Sequence, residues 1–228
     1  MSLFAIGDTH LSFGTDKPMN VFRGWDNYVE RLSKNWKNIV TDDDTVLIAG
    51  DISWSMSLEN ASEDLKFIDS LPGKKILMKG NHDYWWETKT KMERFFKENG
   101  LETLSILHNN AYLVDGFAIC GTRGWFFDDN SADAQKVVAR EAGRLRMSIE
   151  AAKKLGGEVV AFLHYPPISE SARCDEIFNV LVEENVKKCY YAHLHSASIR
   201  KAVTGEYENI NFSLISGDYL EFCPKKIY

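Results

Sequence analysis

Gly80-Asn81-His82-Asp83 follows the apolar run Ile76-Leu77-Met78, so an amide oxygen, an imidazole and a carboxylate crowd the exit of a short hydrophobic segment. Four other clusters repeat the pattern: Asp8-Thr9-His10, Gly50-Asp51, His164, and His193-Leu194-His195. Five of the six histidines fall inside these clusters, and only His108 lies outside them. A fold has no need of such a distribution. Metal-assisted chemistry on a phosphate does.

In Asp8-Thr9-His10 and His193-Leu194-His195 the donors are two residues apart. Side chains of an extended chain alternate faces, so each pair points one way and can grip one ion. Carboxylate, imidazole and amide oxygen suit borderline divalent metals such as manganese, iron, cobalt, nickel or zinc. The lack of thiolates in these clusters argues against a structural zinc. Asp8, His10, Asp51, Asn81, His164, His193 and His195 are too many for one ion and fill two sites that share Asp51. Paired ions about 3.5–4 Å apart clamp the attacking and leaving oxygens of phosphoryl transfer. Two divalent cations carry about +4; two carboxylates and a bridging hydroxide bring this to about +1, which attracts a phosphate ester. His82 and Asp83 are then left for proton transfer: a histidine beside the metals, oriented by a carboxylate, suits a general acid for the leaving alcohol.

The clusters need elements to hold them. Apolar runs at Leu3–Ile6, Thr45–Ala49, Lys75–Met78, Glu158–Leu163 and Lys188–Ala192 read as buried strands, and each cluster follows the end of one of them. Helical spacing appears at roughly 22–40, around Leu65, Ile68 and Leu71, through Met92, Phe95 and Phe96, over about 131–155, and near 172–186. Ala111–Val114, Asp115-Gly116 and Phe117–Cys120 read as a hairpin, because Asp-Gly supplies the positive φ angles of a tight turn. The tail from Asn209 to Phe222 alternates like antiparallel edge strands. Strand–helix alternation followed by hairpins predicts an α/β sandwich with mixed sheets. In such sheets ligands gather outside the carboxyl ends of the strands, so five strand exits should converge on one place.

The set resembles the calcineurin-like metallophosphoesterases, whose pattern is D-x-H, G-D, G-N-H-D/E, H and G-H-x-H in that order. The chain supplies Asp8/His10, Gly50-Asp51, Gly80-Asn81-His82-Asp83, His164 and His193/His195, so the likeness runs from residue 8 to 195. The resemblance implies a four-layer αββα sandwich with two mixed β-sheets flanked by helices. It implies one metal on Asp8, His10, Asp51 and His195, and another on Asp51, Asn81, His164 and His193. It also implies attack of a metal-activated hydroxide on phosphorus, assisted by His82. The chain departs from the family at Ala192, where glycine is usual; a methyl there is expected to narrow the approach of backbone to ligand. Trp54 stands where the purple acid phosphatase branch has a ligand tyrosine, so a coloured iron–phenolate site is not expected.

The chain has 228 residues, a net charge of −6, and no internal repeat or linker-like stretch, which reads as one domain over 1–228. The acidic balance and the lack of a basic stripe speak against binding long nucleic acid. No apolar run approaches the ~20 residues of a membrane helix. The first apolar run leads straight into Asp8 and His10, so a cleavable leader is not expected. Cys120, Cys174, Cys189 and Cys223 form no Cys-x-x-Cys pair and read as reduced residues, which suggests the cytoplasm.

The expected protein is therefore a cytoplasmic phosphohydrolase with two divalent ions, manganese, iron or zinc foremost, acting on a small phosphorylated substrate. A phosphodiesterase or nuclease on the same site is the alternative chemistry. A non-catalytic interaction scaffold is the alternative class, disfavoured because all seven donors are present. Arg123, between two glycines, is a candidate phosphate clamp through its planar fork. Tyr84, Trp85 and Trp86 read as core packing, and Arg140, Arg144 and Arg146 as a solvated helix face. A segment around 121–135 is expected to overhang the metals and shape selectivity.

Overall fold

The computed structural model describes residues 1–125 and 132–228, with side chains in the second part from residue 134 onward. Two mixed sheets stack between layers of helices. In the first, β1 (Leu3–Ile6), β2 (Thr45–Ile48), β3 (Lys74–Leu77) and β4 (Leu104–Ile106) run parallel, and β11 (Lys225–Lys226) closes the β1 edge antiparallel. In the second, β6 (Phe117–Thr122), β7 (Glu158–Leu163), β8 (Lys188–Tyr191) and β10 (Ile210–Leu214) run parallel. Antiparallel β5 (Tyr112–Val114) and β9 (Gly205–Tyr207) form its two edges.

The strands look continuously apolar in sequence because alternate residues serve different cores. Phe4, Ile6, Val46, Ile48 and Leu77 pack under helices α1 (Tyr28–Ile39), α2 (Ser62–Ser70) and α3 (Lys89–Glu98). Their neighbours Leu3, Ala5, Leu47, Ala49, Ile76 and Met78 face the second sheet. Across that middle core Val160, Phe162, Tyr190 and Ala192 answer them. Ala161, Leu163, Cys189, Tyr191, Phe212 and Leu214 pack under α4 (Ala132–Leu155) and α5 (Asp175–Glu183). Three cores thus separate four layers, the sandwich expected from the sequence.

The helices bury one stripe each. In α1 this is Tyr28, Leu32 and Trp36, spaced by four. The helix starts later than the sequence pattern suggested, because Trp25 is buried from the turn before it. In α3 the Thr88 hydroxyl caps the first turn by accepting from the Lys91 amide at 3.4 Å.

The tail differs from its reading. Ile210–Leu214 is an interior strand, parallel to β8 and antiparallel to the edge strand β9 that precedes it, and among the described residues no further strand falls between 215 and 222. Alternation alone gives one buried face, but not the identity or direction of the neighbours. Strand β4 carries too short an apolar run to have been assigned from sequence. The part of the expected overhang at 126–131 lies outside the described residues.

Candidate metal centre

The sharp turns after β1, β2 and β8 are made by the polar residues themselves. Asp8, His10, Asp51 and His193 have φ of 52°, 42°, 51° and 69°, left-handed conformations that cost energy for anything but glycine, so the two-apart pairs do not lie on extended chain and the strand alternation expected of them does not apply. Strain of this kind persists where the surroundings over-determine it, and here they do. The Asp8 amide donates to the Gly50 carbonyl at 3.0 Å, and the His10 amide to the Asp51 carbonyl at 2.9 Å. Gly50, with φ 92°, and Gly80 let the loops close in: a Cβ on Gly80 would lie 2.1 Å from Asp51 Oδ1.

Each central carboxylate is half used. Asp8 Oδ2 accepts from the His193 amide at 2.9 Å, tying one sheet to the other. Asp51 Oδ1 accepts from the His82 amide at 2.8 Å. That leaves Asp8 Oδ1 and Asp51 Oδ2 buried with no hydrogen-bond partner, as are both ring nitrogens of His10. His10 Nε2 lies 3.8 Å from Asp51 Oδ2, and His164 lies 3.9 Å from Asp8 and 3.5 Å from Asp51. Donor atoms of Asp8, His10 and Asp51 all fall within 4.8 Å of one another, as do those of Asp51, His164 and His193. Asp51 belongs to both groups.

Asn81 and His195 complete the cluster. His164 Nδ1 sits 3.0 Å from the Ala49 carbonyl, which can only accept, so this nitrogen carries the proton. The bare Nε2 then points at Asn81 Oδ1 from 2.7 Å, and His193 Nδ1 approaches the same oxygen at 2.9 Å. The His195 ring packs edge-on against His10, centroid to centroid 5.4 Å. All seven residues singled out as donors converge in space.

Burial sets the electrostatics. It raises the Asp8 carboxyl to about 7 and drives the Asp51 carboxyl well above its usual value, where the neighbouring Asp83 and Asp8 charges add to the effect. Burial also holds His10 and His164 well below the ordinary histidine range and His193 at about 4, with neighbouring imidazoles contributing. These histidines are neutral at pH 7, the form that offers a lone pair to a metal. Orphaned carboxylate oxygens facing neutral imidazoles are what a cation would satisfy, so the residues fit such a group.

His82 and Asp83 part company. His82 lines the cluster, 5.8 Å ring to ring from His10, with Nδ1 buried and unpartnered. Burial and the nearby His195 and Lys17 lower its pKa. Asp83 does not orient that ring, as the sequence reading had it. It accepts from the amides of Asp51 (2.8 Å), Ile52 (2.8 Å), Ser53 (3.3 Å) and Gly80 (2.7 Å), and from Trp85 Nε1 (2.9 Å). A fully buried carboxylate must find donors, and two converging loops supply them.

Other expectations shift as well. The Ala192 methyl points into the middle core, facing Gly7, where a Cβ would lie 2.4 Å away; it does not narrow the cluster. Trp54 stacks on His10 at 4.8 Å and tilts over His82 at 4.5 Å, a role for which its place three residues after Asp51 was the available signal. Trp85 is buried core, whereas Tyr84 is exposed. Tyr165 packs 4.3 Å from His193 and went unnoticed in sequence. Arg123 stacks over Trp125 at 4.2 Å and lies 3.9 Å from Glu141. Arg144 is not simply solvated: it pairs with the same buried Glu141 at 2.6 Å.

The arrangement has relatives. A protein of unknown function from Aquifex aeolicus aligns over 99% of this chain and 95% of its own, with a TM-score of 0.51 and 16% identity. A phosphopantetheinyl hydrolase from Mycobacterium tuberculosis aligns over 99% and 95%, with a TM-score of 0.52 and 13% identity. Likeness at such identities speaks for the fold. In sequence, an uncharacterized protein of Methanocaldococcus jannaschii is 28% identical over 128 residues, 52% of this chain and 67% of that protein. The calcineurin-like phosphoesterase model matches residues 1–197, a span that takes in every cluster above. With a match of that extent, the chain belongs to the calcineurin-like phosphoesterase family.

Proposed function

We propose that the chain is a metal-dependent phosphohydrolase that cleaves a small phosphate ester at two divalent ions, manganese, iron or zinc. Family membership supports metal-dependent phosphoester hydrolysis in general. The observation that carries the finer reading is the set of buried, unpartnered atoms on Asp8, His10 and Asp51. Asp8, His10, Asp51 and His195 would hold one ion, and Asp51, Asn81, His164 and His193 the other, the division that the family pattern implies. When bound, the ions supply Lewis acidity toward the phosphoryl group and water.

The chain's own residues do the rest. Asp51 brings one carboxylate to both groups. Asn81 ligates without adding negative charge. His82 carries to the departing alkoxide oxygen the proton that the attacking water gives up, a contribution of about 10²–10⁴-fold in comparable sites. Asp83 is a positioning residue: its bonds to the loops after β2 and β3 fix Asp51 and Asn81 relative to each other. Arg123 helps hold the substrate. The substrate is a small molecule, not long nucleic acid or a membrane surface, and the reaction takes place in the cytoplasm. Among the described residues no helix is long and apolar enough to cross a membrane.

A panel of chromogenic phosphate mono- and diesters, assayed with Mn²⁺ and again after chelation, tests this reading. Hydrolysis should depend on metal and return on its re-addition. Protein that binds two ions per chain yet cleaves no member of the panel would instead favour a scaffold. Whichever ester class is faster fixes the mono- or diesterase assignment.

A further inference from the structure

A cavity of about 410 Å³ opens at the same carboxyl ends of the strands, beside the cluster. Lys79 enters it from the exit of β3, His108 from the exit of β4, and Arg123 from the exit of β6. Arg144 and Glu141 reach it from α4, and Trp86 forms one wall. It shares backbone with the metal-type cluster on two sides. Lys79 immediately precedes Gly80-Asn81. The Arg123 carbonyl accepts from the His164 amide at 3.1 Å and the Tyr165 amide at 2.9 Å.

The charges there do not cancel. Glu141 is held by Arg144 at 2.6 Å and by the Thr122 hydroxyl at 2.6 Å, with Arg123 at 3.9 Å. Glu87 is engaged by Lys91 at 2.6 Å. Lys79 is half-buried and, among the described residues, makes no hydrogen bond or close ion pair, feeling the Asp83 and Glu141 carboxylates only at longer range. Lys79, Arg123 and Arg144 against Glu141 and Glu87 leave an excess of one positive charge in the lining, in a protein of net charge −6. Cations held together in a half-enclosed space repel one another unless an anion joins them.

Resting on the phosphohydrolase reading, we propose that this cavity receives a second phosphoryl group of the substrate. The substrates are then small molecules carrying two phosphates a few atoms apart. One phosphate is cleaved at the ions, and the other is gripped by Lys79 and Arg123. An anionic phosphate is drawn by the excess positive charge, and the Arg123 fork suits its geometry. The partly buried Trp86 indole provides the apolar surface against which the connecting atoms lie.

Alkyl phosphates and α,ω-alkanediol bisphosphates of matched chain length test the idea on the Mn²⁺-loaded protein. The best bisphosphate should exceed its monophosphate in kcat/KM by about tenfold or more, mainly through KM. Lys79→Gln should bring that ratio to within about twofold of unity, and Lys79→Arg should restore it. A native ratio near one, or a ratio that Lys79→Gln leaves unmoved, overturns the second-phosphate site while leaving hydrolysis itself intact. If no compound is turned over, the phosphohydrolase reading fails. Calorimetry of 1,3-propanediol bisphosphate on the chelated protein then reads the cavity alone. Binding there should weaken about tenfold in Lys79→Gln, and equal binding by the two proteins overturns the proposal.

Discussion

Two buried polar clusters in the first sheet make opposite use of burial. At the start of β3, Lys75 is wholly inaccessible, yet its ammonium donates to the Asp69 carbonyl (3.0 Å), the Thr103 hydroxyl (3.0 Å) and the Leu71 carbonyl. All three protons are used. At the opposite end of the same sheet, Asp8, His10 and Asp51 are equally inaccessible, and four of their side-chain atoms have no partner. A network with every group satisfied ties α2 to the sheet and needs nothing more. One whose free atoms face a common point is incomplete until something binds. Burial alone therefore does not distinguish a structural polar group from a functional one; the state of its lone pairs does.

The contrast is sharpest at Asp51. Asp51→Asn should weaken both ions together, by about 10²-fold or more in affinity, and abolish turnover. Metal content of the purified variant checks this, and loss of only one ion would show that Asp51 is not shared. Next in size is His82→Asn. Turnover should fall by about 10²–10⁴-fold while metal content stays at the native level. An unchanged kcat would remove His82 from proton transfer.

A smaller effect comes from pH. In the metal-free protein the Asp8 carboxyl, raised to about 7, holds its proton below that value, and the proton must leave when an ion binds. The buried histidines are already neutral at pH 7 and add no competition there. Apparent metal affinity should therefore fall as pH drops from 8 to 6, by up to about tenfold per unit for each proton displaced below its pKa. Titration calorimetry in buffers of different ionisation enthalpy would count those protons, and an affinity flat across this range would refute the burial argument. The least effect on activity belongs to Lys75→Met. Metal binding and turnover should be native, while unfolding free energy drops by about 1–3 kcal/mol, because two carbonyls and a hydroxyl lose their donor. Denaturant melts measure this, and altered metal binding would dissolve the distinction between the two clusters.

Much of this was legible in the sequence, for a physical reason. Strands buried on both faces read as unbroken apolar runs, and the polar residues at their exits stand out against them. The seven candidate donors could be named because strand ends in parallel sheets converge. Asp83 was misplaced because its partners are main-chain amides, which every residue carries and no sequence pattern marks. The parallel pairing of β10 was hidden for a similar reason: direction is set by neighbours 20 or more residues away. Lys79 gave no signal at all, since one lysine after a strand is ordinary until the structure shows it half-buried beside Arg123 with no close ion pair.

Gly7 and Ala192 draw a last point from the middle core. A side chain missing from one sheet leaves the room that a methyl from the other occupies, so the two positions fit as tenon and mortise. Size at either residue is then a joint property, and a relative bearing glycine at the second position has freedom at the first that this chain lacks. What reads along one strand as a lapse from the family pattern is, across the sandwich, volume handed from one partner to the other.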